Sequence, residues 1–222
     1  MKPIHGHSPS DANGAKLDVY ISSLPSTIDF KPVIPRQRND EINGCRNERV
    51  RAEKYWAWKM LEYGMSRTFG IGMKDVGAKR DAAGKWTGNR FFSISHGGGL
   101  IAVAVSSDKV GIDIEVSAEF KRRFSGREER LTEILDAEKG CGLERLLELW
   151  TQKEASFKAM EHQEKFIPAK IKIEPEQTLT ERRLHESIEC CVSVCSPIKE
   201  SIIFYDCMQK EKSDGKSCCH FH

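Results

Sequence analysis

The segment FFSISHGGGLIAVAVSSDKVGIDIEV, residues 91–116, limits the possible folds more than any other part of the chain. It contains three short runs rich in β-branched and aromatic residues: Phe91–Ser95, Leu100–Val105 and Val110–Val116. Gly97–Gly99 separates the first two runs, and Ser106–Lys109 separates the last two. Runs of this length between turn-forming residues predict antiparallel strands around two tight connections.

The rest of the chain mixes helical and extended patterns. Apolar residues at helical spacing predict one helix over Glu48–Tyr63, ending at Gly64, and another over Leu143–Met160. Further strands are predicted at Leu17–Leu24, Lys170–Glu174, Ser187–Cys195 and Ser201–Met208. Residues 77–90 show no period and are predicted to form an exposed basic loop. This order favours an α+β chain with antiparallel sheets over a repeated βαβ unit.

The charge balance narrows the classes of partner. The chain has 35 basic and 33 acidic residues, so it carries no excess of positive charge for wrapping nucleic acid or coating an acidic membrane. An anionic ligand must therefore be small and locally bound. The longest apolar run, around Leu100–Val105, is far short of the about 20 residues of a membrane helix. The first residues lack the apolar core of a signal peptide, and we expect a cytoplasmic protein.

The eight cysteines are too sparse for a disulfide scaffold, and we expect reduced thiols. Strand alternation sends Cys190 to one face and Cys191 with Cys195 to the other, which separates them as metal ligands. The final residues collect soft ligands at Cys218, Cys219, His220 and His222. They follow a polar stretch, so we favour a flexible tail over residues 213–222 rather than a zinc site.

Two carboxylates stand two positions apart in the run GIDIE. On a strand, Asp113 and Glu115 point to one face, while Ile112 and Ile114 point to the other. Adjacent carboxylates need a neutralising cation, and hard oxygen ligands suit Mg²⁺. The alternative is a half-exposed strand with an acidic solvent face.

The second predicted helix carries a further carboxylate on its apolar stripe. The stripe runs through Leu143, Leu147, Trp150 and Phe157. Glu154 interrupts it, and Lys158 follows one turn later. The simpler interpretation is an internal ion pair of the kind common on helices. On an inward edge, Glu154 is instead a third carboxylate for the cation, and Lys158 then meets an anion bound to it.

Ser95 and His96 stand at a strand end before the three glycines. A hydroxyl, an imidazole and exposed backbone N–H groups together suit a phosphate. Taken alone, the histidine fits a structural role and the glycines fit a simple hairpin turn.

Three motifs between residues 91 and 160 resemble those of one enzyme family: SISHGGGLIAVAV, GIDIE and WTQKEASFKA. Together they resemble the 4'-phosphopantetheinyl transferases, specifically the pseudodimeric Sfp-type group. The family's helix pattern W-[ST]-x-K-E-[AS]-x-x-K is matched in order by Trp150, Thr151, Lys153, Glu154, Ala155 and Lys158.

The resemblance implies transfer of the phosphopantetheine arm from coenzyme A to a serine of an apo acyl or peptidyl carrier protein, with release of 3',5'-ADP. It implies that Asp113, Glu115 and Glu154 hold Mg²⁺ against the pyrophosphate. Glu154 is also the implied general base, acting directly or through water.

The resemblance also implies an anion-binding set. Lys158 would stabilise the pyrophosphate and the departing 3',5'-ADP, and His96 with Ser95 would contact the phosphates of coenzyme A. Lys85 takes the place of the lysine in the family's Gly-Lys-Pro, although tryptophan follows it here. Arg51 resembles the family's basic residue near the nucleotide, with Arg46 and Arg49 as alternatives for that register.

The fold implied by the resemblance is a monomer of two similar α/β halves with antiparallel sheets, related by a pseudo-twofold. We place the halves at residues 1–105 and 106–212, with the metal site on the second half. Ser95 and His96 then lie on the first half, so the site is assembled across the interface.

Two other functions compete with the transferase. A Mg²⁺-dependent hydrolase of a nucleotide pyrophosphate would use the same carboxylates to activate water. A non-catalytic module that binds coenzyme A or a carrier protein would not need all three carboxylates.

Overall fold

The computed structural model describes residues 14–81, 85–160 and 165–207. Its strands are β1 Leu17–Ser23, β2 Lys79–Arg80, β3 Trp86–Thr87, β4 Phe91–Gly97, β5 Leu100–Ser106, β6 Gly111–Val116, β7 Thr178–His185, β8 Ile188–Cys195 and β9 Ile202–Asp206. Its helices are α1 Arg36–Asn43, α2 Glu48–Phe69, α3 Met73–Val76, α4 Ser117–Phe124, α5 Glu128–Leu135 and α6 Leu143–Ala159. The predicted α+β class is confirmed.

The strands form two main sheets and a short ribbon. The first sheet has the order β4-β5-β1-β9, and the second has the order β6-β8-β7. All pairings are antiparallel except that β9 joins β1 in parallel. The predicted hairpin around Gly97–Gly99 is confirmed, with Gly97 facing Leu100. The second predicted hairpin, between β5 and β6, is wrong, because β6 pairs with β8 in the other sheet.

The two sheets pack face to face between helices, which gives four layers. α2 covers one face of the first sheet, and α4, α5 and α6 cover the outer face of the second. β5 is buried along its whole length because alternate residues face different cores. Ile101 and Val103 pack towards α2, and Ala102 and Ala104 pack against the second sheet. A strand buried on both faces is expected to be apolar, and β5 is apolar from Leu100 to Val105.

α2 is longer than the sequence predicts. It begins after Asn47, whose side chain accepts the Val50 N–H, and it ends at Gly70 in the left-handed conformation. The predicted end at Gly64 is wrong, since Gly64 lies mid-helix against β1. A Cβ there would stand 3.0 Å from the ring of Tyr20, so the glycine permits close helix-to-sheet packing.

The C-terminal third differs from the prediction in two strands. Residues 170–174 form no strand, because Pro168–Lys170 makes a 3₁₀ turn and irregular chain follows. The sequence analysis missed β7, an edge strand, because its Glu and Arg residues interrupt the apolar pattern typical of a strand. β8 and β9 lie within the predicted Ser187–Cys195 and Ser201–Met208.

Residues 77–90 are not simply an exposed loop. They contain the ribbon of β2 and β3, and Trp86 lies 5.0 Å from Trp58 of α2, ring centre to ring centre. The ribbon is therefore fastened to the first core. The predicted Cys- and His-containing tail lies outside the described residues.

The proposed boundary at residues 105 and 106 falls at the end of β5, where the chain leaves the first sheet. β9 comes from the second half by number but completes the first sheet beside β1. Cys190 packs between the sheets and Cys191 packs under the helices, as alternation predicts. In the part of the chain that the structure describes, no helix combines the length and apolarity needed to span a bilayer.

Gly111→Ala should strongly destabilise the protein, because β6 and α6 are in close contact there. A Cβ on Gly111 would lie 1.9 Å from the carbonyl oxygen of Ala155, where only backbone movement gives relief. We expect a loss of at least about 3 kcal/mol in the free energy of unfolding, measured by urea denaturation. Gly142→Ala is the control, since a Cβ at Gly142 meets nothing within 4 Å. Equal stability of the two variants would contradict this packing.

Candidate functional site

The site lies where the edge strand β4 of one sheet meets the edge strand β6 of the other. Serine side chains join these edges: Ser93 Oγ accepts the N–H of Ile112 at 3.1 Å, and Ser95 Oγ accepts that of Ile114 at 3.3 Å. Each bond satisfies an amide on the outer edge of β6 that would otherwise be buried without a partner. Ser95 is thereby held beside Asp113.

Ser95, Asp113 and Lys158 form the centre of the site. Ser95 Oγ donates to Asp113 Oδ1 at 2.7 Å, and Lys158 Nζ donates to the same oxygen at 2.7 Å. Lys158 Nζ also donates to Ser95 Oγ at 3.2 Å. With the Ile114 amide, the hydroxyl makes one donated and two accepted bonds, which is its full capacity. Residues of both sheets and of α6 therefore converge here, as the sequence predicts.

Glu154 and Glu115 flank this centre. Glu154 Oε2 lies 3.4 Å from Lys158 Nζ, one helical turn along α6. Burial and the Asp113 carboxylate both raise the pKa of Glu154. Burial, followed by the charge of Asp113, raises the pKa of Glu115 to about 7, although Arg123 lies 3.6 Å away. The carboxylates of Asp113, Glu115 and Glu154 thus form one mutually repelling cluster.

Lys158 supplies the positive charge inside this cluster. Burial lowers the pKa of its ammonium, but Asp113 and Glu154 outweigh that effect, so the pKa of Lys158 lies above its usual value. Its side chain is 26% exposed. The ammonium is therefore a permanent cation between Asp113 and Glu154.

The donor set fits a hard divalent cation in its chemistry. Asp113 Oδ2 is buried and has no hydrogen-bond partner among the described residues, and two neighbouring carboxylates have raised pKa values. These features indicate negative charge that one ammonium does not balance. Across residues 14–81, 85–160 and 165–207, no group of three or more His, Cys, Asp or Glu is already placed around a single metal position.

The buried face of α6 differs from the predicted stripe. Its most buried positions are Leu146, Leu147, Thr151, Lys153, Ala155 and Ser156, whereas Leu143, Trp150 and Phe157 are half-buried. Thr151 bonds to Ser193 on β8 at 2.8 Å, and Lys153 donates to the carbonyls of Pro168 and Ile171. These contacts fix the rotation of α6 that brings Glu154 and Lys158 to β6.

His96 lies on the opposite face of β4 from Ser95, so the two side chains do not share a direction. Its Nδ1 lies 3.4 Å from Oε2 of Glu53 on α2, and its side chain is 38% exposed. Burial lowers the pKa of His96, while Glu53 opposes the shift.

The glycine turn after His96 is required by packing as well as by the hairpin. Gly98 and Gly99 have φ values of 62° and 84°, and a Cβ on Gly98 would lie 2.4 Å from Val116. The turn therefore presses directly on β6 beside the carboxylates.

The other predicted anion-binding residues are placed differently. Lys85 Nζ donates to the carbonyl oxygens of Lys158 at 2.5 Å and Met160 at 3.3 Å, which fastens the end of α6. Arg51 stacks 4.3 Å above the ring of Phe30, outside the cluster. Arg49, one of the two alternatives for that register, stands beside the glycine turn, 3.9 Å from a Cβ built on Gly99.

Sequence reasoning missed Ser93, Glu53 and Arg123 at the site. Ser93 could have been predicted from the sequence, because it stands two positions before Ser95 on the same face of β4. Glu53 carries a local signal only for its helical pair with Arg49, whereas its contact with His96 and that of Arg123 with Glu115 arise from the packing of α2 and α4. No protein-family model matches the chain, and no curated protein matches it either.

Glu115→Gln should stabilise the metal-free protein at alkaline pH. The unfolded Glu115 ionises near pH 4.5 but the folded group ionises near pH 7, so the native state loses stability as pH rises through this window. We expect no difference between variant and wild type near pH 4, and a gain approaching about 3 kcal/mol above pH 8. The measurement is urea unfolding in EDTA across this pH range. The exposed Glu129→Gln is the control, and an equally flat profile for both variants would refute the buried repulsion.

Proposed function

We propose that this protein transfers the 4'-phosphopantetheine arm of coenzyme A to a serine hydroxyl of an apo acyl or peptidyl carrier protein, releasing 3',5'-ADP. The observation that supports it best is the cluster of Ser95, Asp113, Glu154 and Lys158, which combines buried carboxylates with a cation at a junction of two sheets. The motif resemblance adds the substrate class. The arrangement suits a reaction in which negative charge on a pyrophosphate must be neutralised.

The reaction is an in-line displacement at phosphorus. The serine oxygen of the carrier forms a bond to the phosphorus that bears the pantetheine arm, and the bond from that phosphorus to the oxygen of 3',5'-ADP breaks. The serine proton passes to a base, and the electron pair of the broken bond leaves with 3',5'-ADP. We assign the base to Glu154, directly or through water, because its raised pKa makes its carboxylate a competent proton acceptor.

Asp113, Glu115 and Glu154 would hold Mg²⁺, and Mg²⁺ supplies charge neutralisation on the pyrophosphate oxygens when it is bound. Asp113 Oδ2, buried without a partner, offers a free oxygen for that purpose. Lys158 lies between these carboxylates and is long enough to turn towards the phosphates. It would then stabilise the charge that develops on the leaving group.

The phosphates of coenzyme A need further cations beside the carboxylate cluster. His96 and Arg49 lie beside the glycine turn and suit this role. Lys85 holds the carbonyls at the end of α6, so we propose that it supports Lys158 from behind. Arg51 is occupied with Phe30 and takes no part in this arrangement.

The finer fold assignment belongs to the same proposal. Each half contributes a sheet with one long helix on its outer face, α2 on the first and α6 on the second. We propose that the halves are related by a pseudo-twofold in a monomer acting in the cytoplasm. The carrier protein and coenzyme A would meet where β4 and β6 adjoin.

Two competing functions use the same residues. A nucleotide pyrophosphatase would direct water at the phosphorus and needs no carrier. A binding module for coenzyme A or a carrier would have no need for a buried carboxylate cluster that costs stability on folding.

Intact-mass spectrometry of an apo acyl carrier protein, incubated with this protein, coenzyme A and Mg²⁺, tests the proposal. We expect a mass gain of one phosphopantetheine that EDTA abolishes. Cleavage of coenzyme A without a gain on the carrier would favour the hydrolase. Intact coenzyme A, with no gain on several acyl and peptidyl carriers, would favour the binding module.

Asp113→Asn and Glu154→Gln should each reduce the rate of carrier modification by about 100-fold or more, because each removes charge at the reacting centre. Both variants should keep the circular dichroism spectrum of the wild type. Glu148→Gln is the matched control on α6, since Glu148 pairs with Arg145 and Arg182 away from the cluster. Activity near the wild-type level in either test variant would remove that residue from the proposed mechanism.

A further inference from the structure

Glu53 is a buried carboxylate that points at the site from outside the carboxylate cluster. The residue is only 8% exposed and lies on the inner face of α2. Its Oε2 lies 3.4 Å from Nδ1 of His96 on β4. A carboxylate buried to this degree costs free energy unless charged partners hold it.

The second oxygen of Glu53 has its own cation. Arg49 Nε donates to Oε1 at 3.1 Å from one turn earlier on α2. Arg49 also extends towards Glu119 of α4, with Nη2 4.0 Å from Oε1 of that residue. Glu53 is therefore fixed by Arg49 on one side and free to orient the imidazole on the other.

The geometry fixes which imidazole nitrogen is left for a ligand. With Nδ1 beside Glu53, Nε2 is the ring nitrogen left for a ligand, and the His96 side chain is 38% exposed. A carboxylate on one ring nitrogen commonly sets the tautomer and the orientation of the other. Rotation of the ring by 180° would break the contact with Glu53 and leave a carbon of the ring, in place of Nδ1, beside that carboxylate.

We propose that Glu53 is a positioning residue that holds His96 as a two-sided donor, with Nδ1–H towards Glu53 and Nε2–H towards a phosphate of coenzyme A. This inference rests on the proposed function for the identity of the ligand. The contact between Glu53 and His96 itself is independent of it. Glu53 does not touch the substrate and acts only through the imidazole.

Burial and three nearby cations lower the pKa of His96, so the imidazolium form with both N–H groups depends on Glu53 and on the negative charge of the bound phosphate. The charged groups that act on His96 are Glu53 and Lys54 on α2, Lys158 on α6 and Arg38 on α1. Glu53 is the anion among these four, and it alone favours the imidazolium form with both N–H groups. Removal of its charge leaves three cations that disfavour this form.

A double-mutant cycle separates positioning from a structural effect. Glu53→Gln should raise the KM for coenzyme A about tenfold, with kcat within twofold of the wild type, because the loss affects binding of a phosphate. His96→Ala should do at least as much. In the His96→Ala background, Glu53→Gln should have no further effect, since its route of action is gone. Additive losses in the double variant would overturn the proposal.

A matched control and a second readout keep the test decisive. Glu62→Gln lies on the same helix, where Glu62 pairs with Lys59 on the surface, and should leave KM unchanged. NMR titration of the His96 ring should show a lower pKa in Glu53→Gln than in the wild type or Glu62→Gln. An unchanged ring titration would show that Glu53 does not act on His96.

These readouts distinguish failure of this inference from failure of the proposed function. If the wild type modifies no carrier, the transferase proposal fails, and the cycle is run instead on coenzyme A affinity by calorimetry. If the wild type modifies the carrier but the cycle is additive, the transferase proposal stands and the role of Glu53 falls. If coenzyme A does not bind at all, the supply of an Nε2–H to its phosphate is refuted.

Discussion

The junction of β4 and β6 depends on side-chain hydroxyls in place of a backbone ladder. Ser93 and Ser95 accept the amides of Ile112 and Ile114, so the two face-to-face sheets are joined along their adjoining edge strands. Unlike a backbone N–H or C=O group, a serine hydroxyl can both donate and accept hydrogen bonds. Ser95 uses that second capacity to bind Asp113, and the same contact that satisfies the backbone therefore places a carboxylate at the mouth of the site.

The electrostatic design of the site is an excess of anion around one ammonium. Lys158 is shared by Asp113 and Glu154, and Glu115 relies on the more distant Arg123. Burial first, and then this repulsion, raises the pKa values of Glu115 and Glu154. Such local cost is typical of sites built for a ligand and is compensated by packing elsewhere, here by the continuous apolar core on either side of β5.

Local patterns predicted the parts of the molecule that local physics decides. The alternation in GIDIE correctly placed Asp113 and Glu115 on a face away from the core of Ile112 and Ile114. The Glu154–Lys158 spacing on α6 gave their contact. Long-range packing decided the rest. The return of β9 to the first sheet and the meeting of Glu53 with His96 depend on residues distant in sequence.

The position of β9 has a consequence for the order in which the molecule can be built during synthesis. β1 spans Leu17–Ser23, yet its outer neighbour in the first sheet is Ile202–Asp206. While a ribosome is still translating the segments between them, β1 has unpaired backbone N–H and C=O groups along this edge. A nascent chain that has already made every residue of the site must still protect this edge until β9 is added to the first sheet.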